Sequence, residues 1–207
     1  PSFSEFFLVE KYPTGLEEYF TVCYWEQRGG GLSVSPDVTL ESLTLGQLAA
    51  DMIEVTNYLR ERFGKEKIYV MAHSGGTAFA IRAVAENPGL FHAYIGVAQI
   101  TRQAESERLA WRYVVDRYTT EGNKKMVKEF RKYPITEDDS YLLPFFNSVL
   151  RDKSMHELGI GTMRNMTSIM SGVFYPVWTC RAYTLREKIN IWRSKFSFVN
   201  KSGLRAE

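Results

Sequence analysis

The stretch Ile68-Tyr69-Val70-Met71-Ala72-His73-Ser74-Gly75-Gly76 decides how the rest of the chain is read. Its first four residues are β-branched, aromatic or long and apolar, the composition of a buried strand. Thr77 to Glu86, directly behind it, is alanine-rich with apolar residues at helical spacing. Between the two stands a lone serine, with Ala72 two residues before it and Gly76 two after. Strand, tight serine turn and helix together lift a hydroxyl above the carboxyl edge of a parallel sheet. Such a turn strains the serine backbone and asks for small residues two positions away on either side. The helix points its amino end at the hydroxyl, and its free N–H groups and dipole favour negative charge developing there. Ser74 is therefore the candidate catalytic residue. A plain turn whose serine only caps the helix uses the same residue types and stands as the alternative.

Working outward, Thr44-Leu45-Gly46-Gln47 fits a capping box, with Thr44 as cap and Gln47 reaching back. Leu45, Leu48, Ala49, Met52, Ile53, Leu59 and Phe63 then give one apolar helix face, and Gly64 ends it. On the other side, Asn87-Pro88-Gly89 stops the serine helix and Ala93 to Ala98 supplies another strand. Further upstream, Tyr19 to Trp25 is β-branched and aromatic throughout and predicts a buried strand. It runs into Glu26-Gln27-Arg28-Gly29-Gly30-Gly31-Leu32-Ser33, where the glycines permit a sharp turn. A phosphate cradle is the poorer reading of that loop, since the P-loop lysine and a helix directly behind it are missing. Phe3 to Tyr12 predicts a short helix before the break at Pro13. The first hundred residues thus read strand, helix, strand, helix, strand, which is a parallel α/β pattern.

From Ala104 the character changes. Glu105 to Tyr118 is amphipathic, and Asn123 to Lys132 continues as a basic helix whose charges form a solvated face. Through Met163, Met166, Met170, Trp178 and Trp192 no strand alternation develops. Residues 1–103 are accordingly expected to form a partial α/β core and residues 104–207 a helical cap over it. The Met and aromatic residues of that half are core filling in the first instance. Trp111 and Trp178 would line a substrate pocket in the second.

The totals exclude several classes. The 207 residues, 44% hydrophobic and 24% charged, describe an ordinary globular chain with one domain or one domain carrying an insertion. A formal net charge of +2 and no basic patch interleaved with aromatics give no case for nucleic acid. No apolar stretch approaches the roughly 20 residues that cross a bilayer, and Pro1-Ser2-Phe3-Ser4 has no signal-peptide core. Cys23 and Cys180 predict free thiols in a reducing compartment, so the cytoplasm is the expected location. No metal and no cofactor is expected.

Trp25 to Ser33, the serine turn, the helical insertion behind the next strand and Tyr183-Thr184-Leu185-Arg186-Glu187-Lys188 together resemble the α/β-hydrolase superfamily, within it the proline-iminopeptidase-like group. Glu26 stands where that group usually has aspartate, and Ala72 where it has glycine. The resemblance implies that Ser74 is the nucleophile and that the Gly75 N–H is one oxyanion-hole donor. It implies hydrolysis of an amide or ester through an acyl-enzyme, with a small molecule or short peptide as substrate. An epoxide or haloalkane hydrolase of this fold would carry aspartate at position 74.

In that superfamily the acid and histidine follow the cap. The three histidines here are His73, His92 and His156. The side chain of His73 should leave from the face opposite Ser74, His92 lies toward the far edge of the sheet, and His156 lies in the cap. The group also has a His-Gly-Gly-Pro-Gly loop just upstream of where Pro1 falls. The expectation is therefore a middle fragment of a hydrolase, holding the nucleophile and inactive by itself. The alternative is a non-catalytic hydrolase-fold protein that binds a ligand or partner beneath its cap.

Overall fold

A computed structural model of the chain describes residues 4–35, 37–160 and 166–201. The helices and strands, in chain order, are α1 Phe6–Lys11, α2 Leu45–Phe63, β1 Ile68–His73, α3 Thr77–Glu86, β2 Phe91–Val97, α4 Gln103–Thr120, α5 Lys124–Phe130, α6 Leu142–Phe146, α7 Val149–Glu157, α8 Tyr175–Thr179 and α9 Leu185–Lys201. The class is mixed α/β, mostly helical, around a small parallel sheet. Residues 4–101 and 181–201 form one compact unit, and residues 102–180 a second.

In the first unit β1 and β2 pair in parallel, from Ile68 with Phe91 and, past one irregularity, from Tyr69 with Ala93 to His73 with Val97. Helix α3 connects them and packs against both strands, and α2 packs against α3. The core of the layer is Leu45, Leu48, Ala49 and Met52 from α2 with Ala78, Phe79, Ala80 and Ala83 from α3. Burial of Phe79 alone is worth about 2–3 kcal/mol, and the alanines let the helix lie close to the strands. The opposite face of the sheet is open: Tyr69 is 55% exposed, Met71 53%, Ile95 41% and Val97 44%.

The caps follow the sequence in most respects. Thr44 Oγ1 accepts the Gln47 N–H at 3.1 Å, and Gly64 ends α2 at φ 59°. The Gln47 side chain, however, donates forward to Asp51 Oδ1 at 2.8 Å, and the Thr44 N–H goes to the Ser42 carbonyl at 3.0 Å, so the box is not closed.

One expectation is corrected. Tyr19 to Trp25 is not a strand, and the sheet has two strands among the described residues instead of three. A strand exists only through its ladder, and among the described residues the backbone hydrogen bonds of this stretch are only the turn bonds from the Tyr19 and Phe20 N–H groups to the Leu16 carbonyl. They contact the sheet layer through rings: Phe20 meets Tyr69 at 5.8 Å between centroids, and Trp25 meets Phe79 edge-on at 5.9 Å. Helix α9 groups with the first unit. It packs there on the turns Gly31–Ser33 and Leu40–Ser42. Its Ile191 and Ser194 are buried, and the Ser194 hydroxyl donates to the Gly29 carbonyl.

The second unit has helices and no strand among its described residues. Val114, Tyr118, Met126, Phe130, Ile135, Leu142 and Phe145 form its core. Trp111 packs against that cluster and donates its indole N–H to the Phe130 carbonyl at 3.3 Å, which is core filling. Glu107, 4% exposed, is held by Arg151 through two bonds of 2.6 and 2.7 Å, with Gln103 donating at 2.6 Å. Met163 lies outside the described residues.

Candidate active site

The sheet ends where the sequence places its serine. His73 still has extended angles, φ −122° and ψ 138°. Ser74 then steps to φ 50°, a left-handed value that side-chain-bearing residues avoid at a cost of about 1–2 kcal/mol. A single tight turn, Ser74–Gly76, leads straight into α3. The result is a hydroxyl-bearing residue, exposed to solvent, at the carboxyl end of β1 and the amino end of a ten-residue helix. Gly75 lies in that first turn, where backbone N–H groups have no helical acceptor. It is half-buried beside Ser74.

Thr77 fastens this turn, a role the sequence reading missed. Its fully buried hydroxyl donates to the Ser74 carbonyl at 2.6 Å and accepts the Ile100 N–H at 2.9 Å. One side chain thus links the serine turn to the segment leaving β2. That segment makes the same step, because Ala98 has φ 51° directly after Val97, the partner of His73. Two neighbouring strands therefore leave the sheet through a strained left-handed residue. A threonine behind Gly-Gly at a helix start was the only signal for this in the sequence.

The small-residue demand is met with room to spare. A Cβ built on Gly76 would lie 4.0 Å from the Ala72 Cβ, an ordinary contact. Gly76 is already helical, at φ −66°.

None of the histidines is brought to Ser74 by a contact. His73 Nδ1 lies 2.9 Å from Glu5 Oε1, one residue before α1. The hydrogen bond to Glu5 raises the His73 pKa above the usual imidazole value, against an opposing effect of burial. His92 tilts against the Tyr69 ring at 5.0 Å, at the far end of the strands. Five residues of strand put it about 17 Å from the serine turn. His156 belongs to the second unit, where its Nδ1 bonds the Asp152 carbonyl at 2.8 Å. Among the described residues, Ser74 Oγ has no hydrogen-bond partner.

The glycine loop is a structural turn. Gly29 and Gly31 have φ 72° and 49°, and a Cβ on Gly31 would overlap the Glu26 carboxylate. Glu26 Oε1 accepts from Ser4 Oγ at 2.6 Å and from the Tyr183 hydroxyl, so the glutamate joins three distant segments of the unit. Arg28 forks onto Asp51 with bonds of 2.7 and 2.5 Å. Burial pushes the Asp51 carboxyl up, but bonds from Arg28 and Gln47 outweigh it and hold its pKa below the usual carboxylate value.

Among the described residues there is no group of three or more His, Cys, Asp or Glu side chains placed to hold a metal ion. No helix among them is long and apolar enough to cross a membrane. Cys23 is exposed and Cys180 buried, and no disulfide joins them.

Comparison with known proteins agrees with this geometry. The sequence model of the family described as serine aminopeptidase, S33, matches residues 16–132, which include the serine turn. A protein of Bacillus subtilis (strain 168), named probable aminopeptidase YbaC, is 35% identical over 122 residues. That match covers 59% of this chain and 38% of the Bacillus protein, so the chain corresponds to well under half of that relative's length. No solved structure matches the chain. A strand that ends in a left-handed serine under a helix amino end, within a matched span of more than half the chain, leads to one conclusion: the chain belongs to the serine aminopeptidase S33 family of the α/β-hydrolase superfamily.

Proposed function

We propose that Ser74 is the nucleophile of a serine hydrolase that cleaves amide or ester bonds through an acyl-enzyme, with Gly75 N–H as one oxyanion-hole donor. The observation that carries this is the left-handed Ser74, φ 50°, exposed between β1 and α3. Strain of this kind persists where it presents a reacting atom. The helix amino end at the same place favours an oxyanion. A short peptide with a free amino end is the proposed substrate, by analogy with the family's description and with the aminopeptidase name of the Bacillus relative. The helices of residues 104–207 are proposed to act as its cap. A reducing, cytoplasmic setting is proposed with it, in keeping with two cysteines that no disulfide joins. Proline specificity is the narrower form of the proposal.

The test is labelling of the natively expressed protein with a fluorophosphonate. The probe should attach to Ser74, and Ser74→Ala should abolish labelling and lower turnover by roughly 10³-fold or more. A folded protein that is not labelled refutes the nucleophile assignment. The 207 residues alone should show no appreciable turnover, since no described base reaches Ser74 Oγ and an unassisted hydroxyl is a poor nucleophile. The second reading is a hydrolase-fold protein that binds without catalysis. A ligand bound equally well by wild type and Ser74→Ala, without turnover of any ester or amide, would decide for it.

A further inference from the structure

Apart from the serine turn, the first unit contains a groove of about 630 Å³ between the loop 29–43 and α9. That is within the range of small-molecule sites, which runs from about 300 to 1,000 Å³. Val34, Val38 and Leu43 form its loop wall, and Leu185 and Ile189 its helix wall. Leu185 is 65% and Ile189 45% exposed, so the apolar helix wall is open to an incoming molecule. At one end of the groove the Ser194 hydroxyl bonds the Gly29 carbonyl, and a Cβ on Gly29 would come within 3.3 Å of both Ser194 and Val38. Helix and loop thus meet where only glycine fits, and the groove opens beside that contact.

The charge around the groove is one-sided. Arg186 and Arg193 line it from the same α9 face, seven residues and about 10.5 Å apart along the axis, with Asn190 between them. No carboxylate lines the groove. Neither arginine has an ionic partner among the described residues, whereas Arg28 in the adjoining loop is fully engaged by Asp51. The loop's two acids, Asp37 and Glu41, are not part of the lining, and Asp37 accepts the Ser35 hydroxyl at 3.2 Å. Two uncompensated guanidinium groups beside an apolar trough match a ligand with an anionic head and an apolar body. The fork geometry of arginine suits a carboxylate.

We propose that this groove binds a carboxylate joined to an apolar chain, with Arg186 and Arg193 holding the head and Val34, Val38 and Ile189 the body. The site does not depend on the role of Ser74. A fatty acid and the carboxyl end of a short apolar peptide share this chemistry.

Calorimetric titration of the 207-residue chain separates the outcomes. Decanoate, decanol, inorganic phosphate, acetyl-Leu-Leu acid and acetyl-Leu-Leu amide are the probes. Binding of decanoate or of the peptide acid at one per chain, about tenfold tighter than decanol or the amide respectively, is expected. The tighter of the two acids identifies the source. Arg186→Gln and Arg193→Gln together should remove about tenfold or more of that affinity while the circular dichroism stays unchanged. Ser74→Ala should leave it unaltered. The proposal is overturned if neither acid binds, if decanol binds as well as decanoate, if phosphate alone binds as tightly, or if the double arginine variant binds undiminished.

Discussion

Glu5 Oε1 lies 2.9 Å from His73 Nδ1, and so ties the start of α1 to the residue that precedes Ser74. The bond raises the His73 pKa above its unfolded value of about 6.5. A raised folded pKa means that the stabilisation is complete below the unfolded value and is lost as pH rises through the folded one. Side chains 33% and 41% exposed limit it to about 1 kcal/mol or less. Glu5→Gln should bring the NMR titration of His73 back toward ordinary histidine. It should also cost stability at about pH 5.5 and nothing at about pH 8.5. An unchanged titration would show that the pair does not form.

Left-handed backbone at Ser74 makes glycine and alanine separable there. Glycine adopts φ 50° freely and alanine does not. Ser74→Gly should therefore unfold at higher urea than Ser74→Ala, by about 1 kcal/mol. Both variants should be equally dead to a fluorophosphonate. Coincident urea midpoints would mean that the turn holds no strain.

Two glycines should respond unequally to the same change. Gly31→Ala adds a methyl at φ 49° where the Glu26 carboxylate sits, and should cost about 2 kcal/mol or more. Gly76→Ala meets only the Ala72 methyl at 4.0 Å, and should stay within about 0.5 kcal/mol of wild type. Thermal unfolding of the two proteins side by side checks the order.

In the second unit, Glu107→Ala strands the Arg151 guanidinium against a 5% exposed site. A loss of about 3 kcal/mol is expected. Adding Arg151→Met should recover much of it, because the uncompensated charge is what costs most. If the double variant is as unstable as the single, packing and not charge is the cause.

The readable parts of the sequence were those governed by near neighbours. The apolar run to Met71, the small residues around Ser74 and the stop at Asn87-Pro88 are local signals, and β1, α3 and β2 follow from them. Thr44 and Gly64 bracket α2 for the same reason. Tyr19 to Trp25 failed because a strand is a property of two segments, and side-chain propensity speaks for only one. The bonds of Tyr183 to Glu26 and of Arg151 to Glu107 join residues far apart in sequence. Nothing along the chain encodes which acid meets which donor. The same limit applies to α9, whose grouping with the first unit is set by a buried face that fits the turns at Gly31–Ser33 and Leu40–Ser42.

The open face of the sheet bears on every laboratory measurement of this polypeptide. Parallel strands are usually sheltered on both sides, yet here water touches the rings and methyls of Tyr69, Met71, Ile95 and Val97. Denaturation curves recorded on these 207 residues therefore describe a sheet wetted on one side. The thioether of Met71, 53% exposed, would be open to peroxide, and its sulfoxide would leave that side more hydrophilic.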